Sequence, residues 1–234
     1  MFVPGLRTNI FCTDLGEVRG RSSTYAGRVP SATPMFPLGS ALLPGMPLPL
    51  RLFEPRYLAM LQVVMERQPT DFGVVLIERG TEAGGGETRF DVGTMATIEQ
   101  IAPDGETFVL IARGTTRFTV DRWLPDDPYP QAEISELAPL EWSDELASAL
   151  IVAEDAVRTH LARAAEFVEL PWSADIVLDD DPVERSWQLA GIALLGELDH
   201  VEALRSTSVG ELLDRTVTGS QAGLDQILFN HGPH

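Results

Sequence analysis

Short apolar runs separated by proline, glycine and polar residues fill the chain from residue 34 to about residue 139. Runs of this kind, bounded by turn-forming residues, predict β-strands. One stretch differs, because Pro55 stands where a helix can begin and apolar residues then recur every three or four positions. We therefore predict one helix over Pro55–Arg67 and about six or seven strands. The strands are expected over Met35–Leu38, Leu48–Phe53, Phe72–Glu78, Val92–Ile101, Thr107–Ile111, Arg113–Val120 and Tyr129–Leu137.

After Pro139 the apolar spacing changes to that of amphipathic helices. The spacing predicts a helix over Ser143–Ala165. Asp181-Pro182-Val183-Glu184 then has the form of a capping box with proline at the first helical position, and Ser208 with Glu211 repeats the box. The helix after Asp181 is expected to continue through Leu194 to Leu198. The helix after Ser208 is expected to run to about Phe229, with Gly219 as a possible break.

The two patterns together predict an α+β protein with a β-barrel over residues 34–139 and a helical bundle over residues 140–234. Each part is expected to bury a core of its own. The expected core residues are Phe36, Leu50, Phe53, Leu61, Val74, Leu76, Ile98, Leu110 and Phe118 in the barrel, and Leu150, Val157, Trp187, Leu194 and Leu212 in the bundle. Residues 1–33 follow neither pattern, and we expect either a flexible arm or a segment preceding a true start at Met35.

Composition narrows the possible chemistry. The chain has 17 arginines and no lysine, so it has neither a Ser-Lys dyad nor a P-loop lysine. Its single cysteine and four histidines follow no metal-binding spacing, and we expect no metal, cofactor or catalytic residue. Asp179-Asp180-Asp181 is interpreted as a solvated loop that leads to a helix cap. The formal net charge of −18 disfavours a nucleic-acid partner, and no apolar run is long enough to span a membrane.

The stretch Pro34–Tyr57 carries a family resemblance. It contains Phe36-Pro37-Leu38, a Pro44-Gly45 turn, an apolar strand and Phe53-Glu54-Pro55-Arg56-Tyr57, in that order. This order resembles the opening of the N-terminal substrate-binding domain of ATP-dependent Lon proteases. Gly114, Arg117 and Phe118 match a further Gly-x-x-Arg-Phe segment of that family. The resemblance implies a PUA-like pseudobarrel followed by helices, without the ATPase and protease domains of a complete Lon protease.

Because no apolar run resembles a membrane span or a signal peptide, we expect a cytoplasmic protein. The resemblance implies that it is non-catalytic and binds polypeptide, including unfolded or apolar segments. A separate protease or ATPase is the partner that it implies. The turn at residues 41–47 suggests where binding could occur, because Leu42, Leu43 and Met46 could be exposed there. The same three side chains could instead cap the barrel core, and the sequence leaves both interpretations open.

Two alternatives come from other classes of protein. PUA-related folds often bind RNA, and Arg51, Arg56, Arg113 and Arg117 could line a pocket for it, although the net charge argues against this. A small-ligand site in the barrel is the other alternative. The related ligand-binding fold of cereblon uses a cage of three tryptophans, but the four tryptophans here are scattered along the chain.

A last expectation concerns Glu54 and Arg117, which both lie among apolar or aromatic neighbours. A buried charge needs a partner, and the arginine fork suits a carboxylate. We therefore predict a structural ion pair between Glu54 and Arg117, with Arg113 as the second choice for Glu54.

Overall fold

The computed structural model describes residues 32–80 and 86–231. The predicted N-terminal arm lies outside the described residues except for its last two positions. The strands are β1 (Thr33–Leu38), β2 (Pro47–Leu52), β3 (Asp71–Arg79), β4 (Thr88–Asp104), β5 (Thr107–Trp123) and β6 (Gln131–Glu136). The helices are α1 (Pro55–Met65), α2 (Ala147–Ala164), α3 (Pro182–Ile192), α4 (Glu197–Leu204) and α5 (Val209–His231).

The six strands form one mixed sheet that closes on itself. Their order is β2-β5-β4-β3-β1-β6, and β6 also pairs with β5. β1 and β3 run parallel, whereas the other pairs are antiparallel. Closure depends on the 17-residue length of β5, whose first half pairs with β2 and whose second half pairs with β6. The predicted mixed barrel within an α+β fold is confirmed.

The predicted break within β5 is absent from the structure. Thr107–Ile111 and Arg113–Val120 belong to one strand, because Ala112 continues the pairing with both Leu48 and Ile98. The register between β4 and β5 shifts beside Gly114. A Cβ atom at Gly114 would lie 2.3 Å from the Leu43 carbonyl oxygen, so the glycine lets the turn approach the strand.

In the helical half, α3 and α5 begin at the two predicted capping boxes, but α3 ends earlier than predicted. The Asp181 carboxylate accepts hydrogen bonds from the amides of Val183 and Glu184 and thereby caps α3. α3 ends at Ile192 and α4 begins at Glu197, so the predicted continuous helix to Leu198 is wrong. Leu198 is 64% exposed instead of following the apolar face.

α5 is continuous through the predicted break at Gly219. A Cβ atom there would lie 2.4 Å from Leu195 Cδ2, and one at Gly223 would lie 2.0 Å from the Leu194 carbonyl oxygen. Because neither glycine has a side chain, the α3–α4 connection can pack directly against α5. α2 runs beside α5 in the same direction, because Leu146 lies next to Gly210 and His160 Nδ1 lies 3.0 Å from Ser220 Oγ.

One apolar cluster extends from the barrel into the helical half, so the expectation of two separate cores is wrong. A smaller cluster around Met35 and Phe118 lies elsewhere in the barrel. Most of the predicted core residues are buried, while Ile98 and Leu194 are half-buried. Phe53 is 41% exposed, because it follows Leu52 and side chains of consecutive extended residues point to opposite faces. The division of the chain at residue 139 stays a prediction.

Candidate functional site

The turn between β1 and β2 is buried where the barrel meets the helices. Leu42, Leu43 and Met46 are only 5%, 2% and 6% exposed, so these three side chains do not lie at the surface. The amide of Gly45 donates to the Gly114 carbonyl, and the amide of Gly114 donates to the Met46 carbonyl. Met46 packs on α3 at Gly191, where a Cβ atom would lie 2.5 Å from the Met46 sulfur.

A second contact holds the same turn against α4. The amide of Ala41 donates to Glu197 Oε2 at 2.7 Å. Together these contacts make the turn a connector between the barrel and the helices. The interpretation in which its apolar side chains cap the core is the one that the structure supports.

Arg117 is buried as predicted, but its partners are backbone carbonyls. Its Nη1 donates to the carbonyls of Leu204 and Ser206, each at 2.7 Å, and its Nη2 donates to Ala138 at 2.8 Å. Leu204 is the last residue of α4, so the cation lies at the negative end of that helix dipole. The guanidinium also lies 5.0 Å from the ring centroid of Trp187. Burial lowers the pKa of Arg117.

The predicted pairing of Glu54 with Arg117 is therefore wrong. Glu54 Oε2 accepts a hydrogen bond from Arg56 Nε at 3.0 Å, two residues along the chain. The second choice, Arg113, pairs instead with Glu99 at 2.6 Å and donates to the Gly45 carbonyl. A buried arginine does not require a carboxylate when several carbonyls converge on it.

His200 lies near the same junction, on α4. Burial lowers the pKa of His200 below its ordinary value of 6.5, while Glu197, a hydrogen bond with the backbone of Ala190, and Asp199 oppose the change. Its Nδ1 is buried without a hydrogen bond and lies 3.9 Å from Glu197 Oε2. The folded protein therefore favours the neutral ring.

This burial predicts a pH dependence of stability. Below about pH 6.5 the unfolded chain protonates His200 before the folded chain does, so stability is lost as the pH falls. Between about pH 7.5 and 5.5 the wild-type protein should lose up to about 1 kcal/mol more than a His200→Gln variant. Urea unfolding of both proteins at the two pH values measures the difference. An equal loss in the two proteins would contradict the prediction.

The surface offers a different set of apolar residues. Among the described residues, the large exposed apolar side chains are Phe53, Met65, Ile151, Val152, Val177, Leu198 and Phe229. Ile151 and Val152 are adjacent on α2 and are 69% and 68% exposed. Val177 is 67% exposed and belongs to the segment that follows α2. We refer to Ile151, Val152 and Val177 together as the α2 apolar patch.

Hydrogen bonds to Arg158 place Val177 beside α2. Arg158 Nη2 donates to the Ile176 carbonyl at 2.9 Å, and Nη1 donates to the Ala174 carbonyl. Arg158 is itself held by Glu154, one turn earlier on α2, at 2.8 Å. Because Glu154 and Arg158 follow Ile151 by three and seven residues, the segment that carries Val177 lies on the side of α2 to which Ile151 belongs. Sequence periodicity could not reveal this patch, because no regular element contains Val177.

The described part of the chain contains no group of three or more His, Cys, Asp or Glu side chains arranged to hold a metal ion. In that same part, no helix is both long enough and apolar enough to cross a membrane.

Comparison with known proteins identifies the family. Residues 32–218 match the model of the ATP-dependent protease La (LON) substrate-binding domain, and the chain belongs to this family. The Lon protease of Cytophaga hutchinsonii is 27% identical over 157 residues, which are 64% of this chain and 19% of that protein. The chain thus matches about a fifth of the length of that relative.

Two solved structures share the fold. A Lon N-terminal domain protein from Xanthomonas campestris aligns with a TM-score of 0.57 and 25% identity, over 80% of this chain and 98% of that one. The N-terminal domain of the Mycobacterium avium complex Lon protease aligns with a TM-score of 0.59 and 16% identity, over 82% of this chain and 98% of that one. The resemblance inferred from Pro34–Tyr57 is confirmed.

Proposed function

We propose that this protein binds unfolded or apolar polypeptide segments in the cytoplasm without catalysing their cleavage. The match of residues 32–218 to a substrate-binding family carries this proposal. In this proposal, a separate protease or ATPase acts on the bound polypeptide. The lack of lysine supports a non-catalytic role, because neither a Ser-Lys dyad nor a P-loop can be built from this chain.

The exposed apolar side chains support a polypeptide as the substrate. An unfolded chain exposes apolar groups that a folded protein buries. When such groups pack against an isoleucine or valine that is two-thirds exposed, both surfaces are removed from water and the free energy falls. The α2 apolar patch replaces the turn at residues 41–47 as the site that we propose.

The RNA-binding alternative finds less support at its proposed residues. Arg51 pairs with Asp104, Arg56 with Glu54, and Arg113 with Glu99, while the guanidinium of Arg117 is buried against carbonyls. Each of the four arginines is thus already engaged with a carboxylate or with backbone carbonyls. With a net charge of −18, long-range attraction of phosphates is also absent.

A binding titration tests the proposal. The probe is a small disulfide-bonded protein of near-neutral charge, used in its native form and after reduction and alkylation with iodoacetamide, which adds no charge. We expect a dissociation constant in the range of about 1–100 μM for the unfolded probe, and binding at least about tenfold weaker for the native probe. Equal affinity for the two forms, or no binding of either, would contradict the proposal.

A further inference from the structure

The α2 apolar patch faces away from the rest of the protein. The buried face of α2 consists of Leu150, Ala153, Val157, His160, Leu161 and Ala164. Ile151 and Val152 point to the opposite side and keep more than two-thirds of their surface exposed. Val177 belongs to the segment that Arg158 holds beside α2, and it is followed by the buried Leu178. The patch is therefore an anchored apolar surface, because its neighbours are fixed in the core.

Exposed carboxylates neighbour each residue of this patch along the chain. Asp155 lies four residues after Ile151 and three after Val152, so it is their neighbour on the helix surface. Asp175 and Asp179 stand two residues on either side of Val177, and both are exposed. We call Asp155, Asp175 and Asp179 the acidic rim.

The rim belongs to a strongly negative region. Residues 141–185 contain twelve acids and three arginines, a formal net charge of −9, which is half of the charge of the chain in about a fifth of its length. Arg158 is engaged with Glu154, and Arg185 donates to the Asp179 carbonyl and lies 3.7 Å from an Asp180 carboxylate oxygen. Eleven of the twelve acids are exposed, so their combined field extends into solvent.

We infer that the α2 apolar patch binds polypeptide segments in which apolar residues are interspersed with lysine or arginine. This inference rests on the proposed function and specifies its site and the chemistry of its substrate. Apolar side chains of the segment would cover Ile151, Val152 and Val177, while its cationic groups would lie against the acidic rim. The same charge disfavours two other occupants, because a second copy of this chain and an anionic lipid surface would both be repelled.

Fluorescence anisotropy with labelled peptides tests the inference on the full chain. Three short peptides share the same leucines and serines and differ only in carrying lysine, glutamine or glutamate at the intervening positions. The lysine peptide should bind at least about tenfold more tightly than the glutamate peptide, and the glutamine peptide should fall between them. The advantage of lysine should shrink as salt is raised, because the rim is exposed and screened.

Two variants locate the site. A double variant, Ile151→Ser with Val152→Ser, should weaken binding of the lysine peptide by at least about tenfold. The matched control is Phe229→Ser, which removes an apolar side chain of 78% exposure from the end of α5 and should leave the affinity unchanged. Unchanged affinity in the double variant, or an equal loss in the control, would overturn the inference.

A charge variant separates the rim from the apolar contact. Asp155→Asn with Asp175→Asn should reduce the preference for lysine over glutamine by about threefold or more, while binding of the glutamine peptide stays the same. An unchanged preference would remove the rim from the inference and so overturn it.

Failure of this inference is distinguishable from failure of the proposed function. If the reduced and alkylated probe binds the Ile151→Ser, Val152→Ser protein as tightly as it binds the wild type, polypeptide binding stands but this site does not. If the probe binds neither protein, both fail. A concentration-dependent dimer that the double variant abolishes, in place of peptide binding, would assign the patch to a second copy and overturn the inference.

Discussion

Replacing Arg117 by methionine is expected to lower the free energy of unfolding by about 3–5 kcal/mol. The guanidinium is the shared donor for the carbonyls of Leu204, Ser206 and Ala138. Methionine fills a similar volume, but it leaves the buried carbonyls of Leu204 and Ser206 and the partly buried carbonyl of Ala138 without that donor. Each buried acceptor left unpaired costs about 1–3 kcal/mol. Relief from burying the cation offsets part of the cost. Urea unfolding followed by circular dichroism measures the change.

Arg122→Met provides the matched control for this variant. Arg122 lies on the same strand, its side chain is 65% exposed, and it pairs with Glu133 at the surface. Exposed ion pairs contribute little, so this variant should keep close to wild-type stability. A loss below about 1 kcal/mol in Arg117→Met would show that the carbonyls find other donors, and would contradict the structural role of Arg117.

Gly223→Ala is expected to lower the free energy of unfolding by about 2–3 kcal/mol. The added Cβ would lie 2.0 Å from the Leu194 carbonyl oxygen, and this backbone atom can move only if the α3–α4 connection shifts. Helix propensity alone favours alanine over glycine by about 1 kcal/mol, so a loss of stability would have to come from the close contact. Thermal or urea unfolding of the variant gives the value.

The same helix supplies the control for Gly223. At Gly210 an added Cβ would lie 3.6 Å from Leu146 Cδ2, which is an ordinary contact distance. Gly210→Ala should therefore be neutral or stabilising by up to about 1 kcal/mol. Similar stabilities for the two alanine variants would contradict the packing of α5 against the α3–α4 connection.

The sequence patterns predicted which helices and strands form more accurately than where each one ends. The prolines and glycines of Pro34–Tyr57 and the Asp181 cap act locally, so their effects could be inferred from neighbouring residues. The end of α3 could not, because the apolar spacing continues to Leu198, whereas the helix ends at Ile192 and the Leu194 carbonyl that follows lies against Gly223. The low helix propensity of Gly219 predicted a break, but α5 continues through it, and its lack of a side chain leaves room for Leu195.

The partners of Arg117 could not be predicted from the sequence. Two of its three acceptors lie 87 and 89 residues away along the chain, and backbone carbonyls have no residue signature. The expectation of a buried cation was right, because Phe118 and its neighbours indicated burial. The choice of Glu54 failed because sequence reasoning could consider only charged side chains as partners.

The exposure of the turn at residues 41–47 could not be decided from the sequence, for a related reason. Leu42, Leu43 and Met46 are apolar residues in a turn, and such residues are exposed only if nothing packs over the turn. Here α3 and α4 cover it: Met46 packs against Gly191, and Glu197 accepts a hydrogen bond from the amide of Ala41. Ile151 and Val152 are exposed on a helix whose periodicity indicates burial for the opposite face, and only the structure adds Val177 to them.

Polypeptide binding at the α2 apolar patch is tested most directly by methyl NMR on the full 25.6 kDa chain, labelled at isoleucine and valine methyl groups. On addition of the reduced and alkylated probe, the methyl signals of Ile151, Val152 and Val177 should shift. The signals of the buried Val64 and Ile192 should stay in place. Addition of the native probe should move none of them. If the unfolded probe leaves all five residues unperturbed, or if it perturbs only the buried residues, binding at this patch is contradicted.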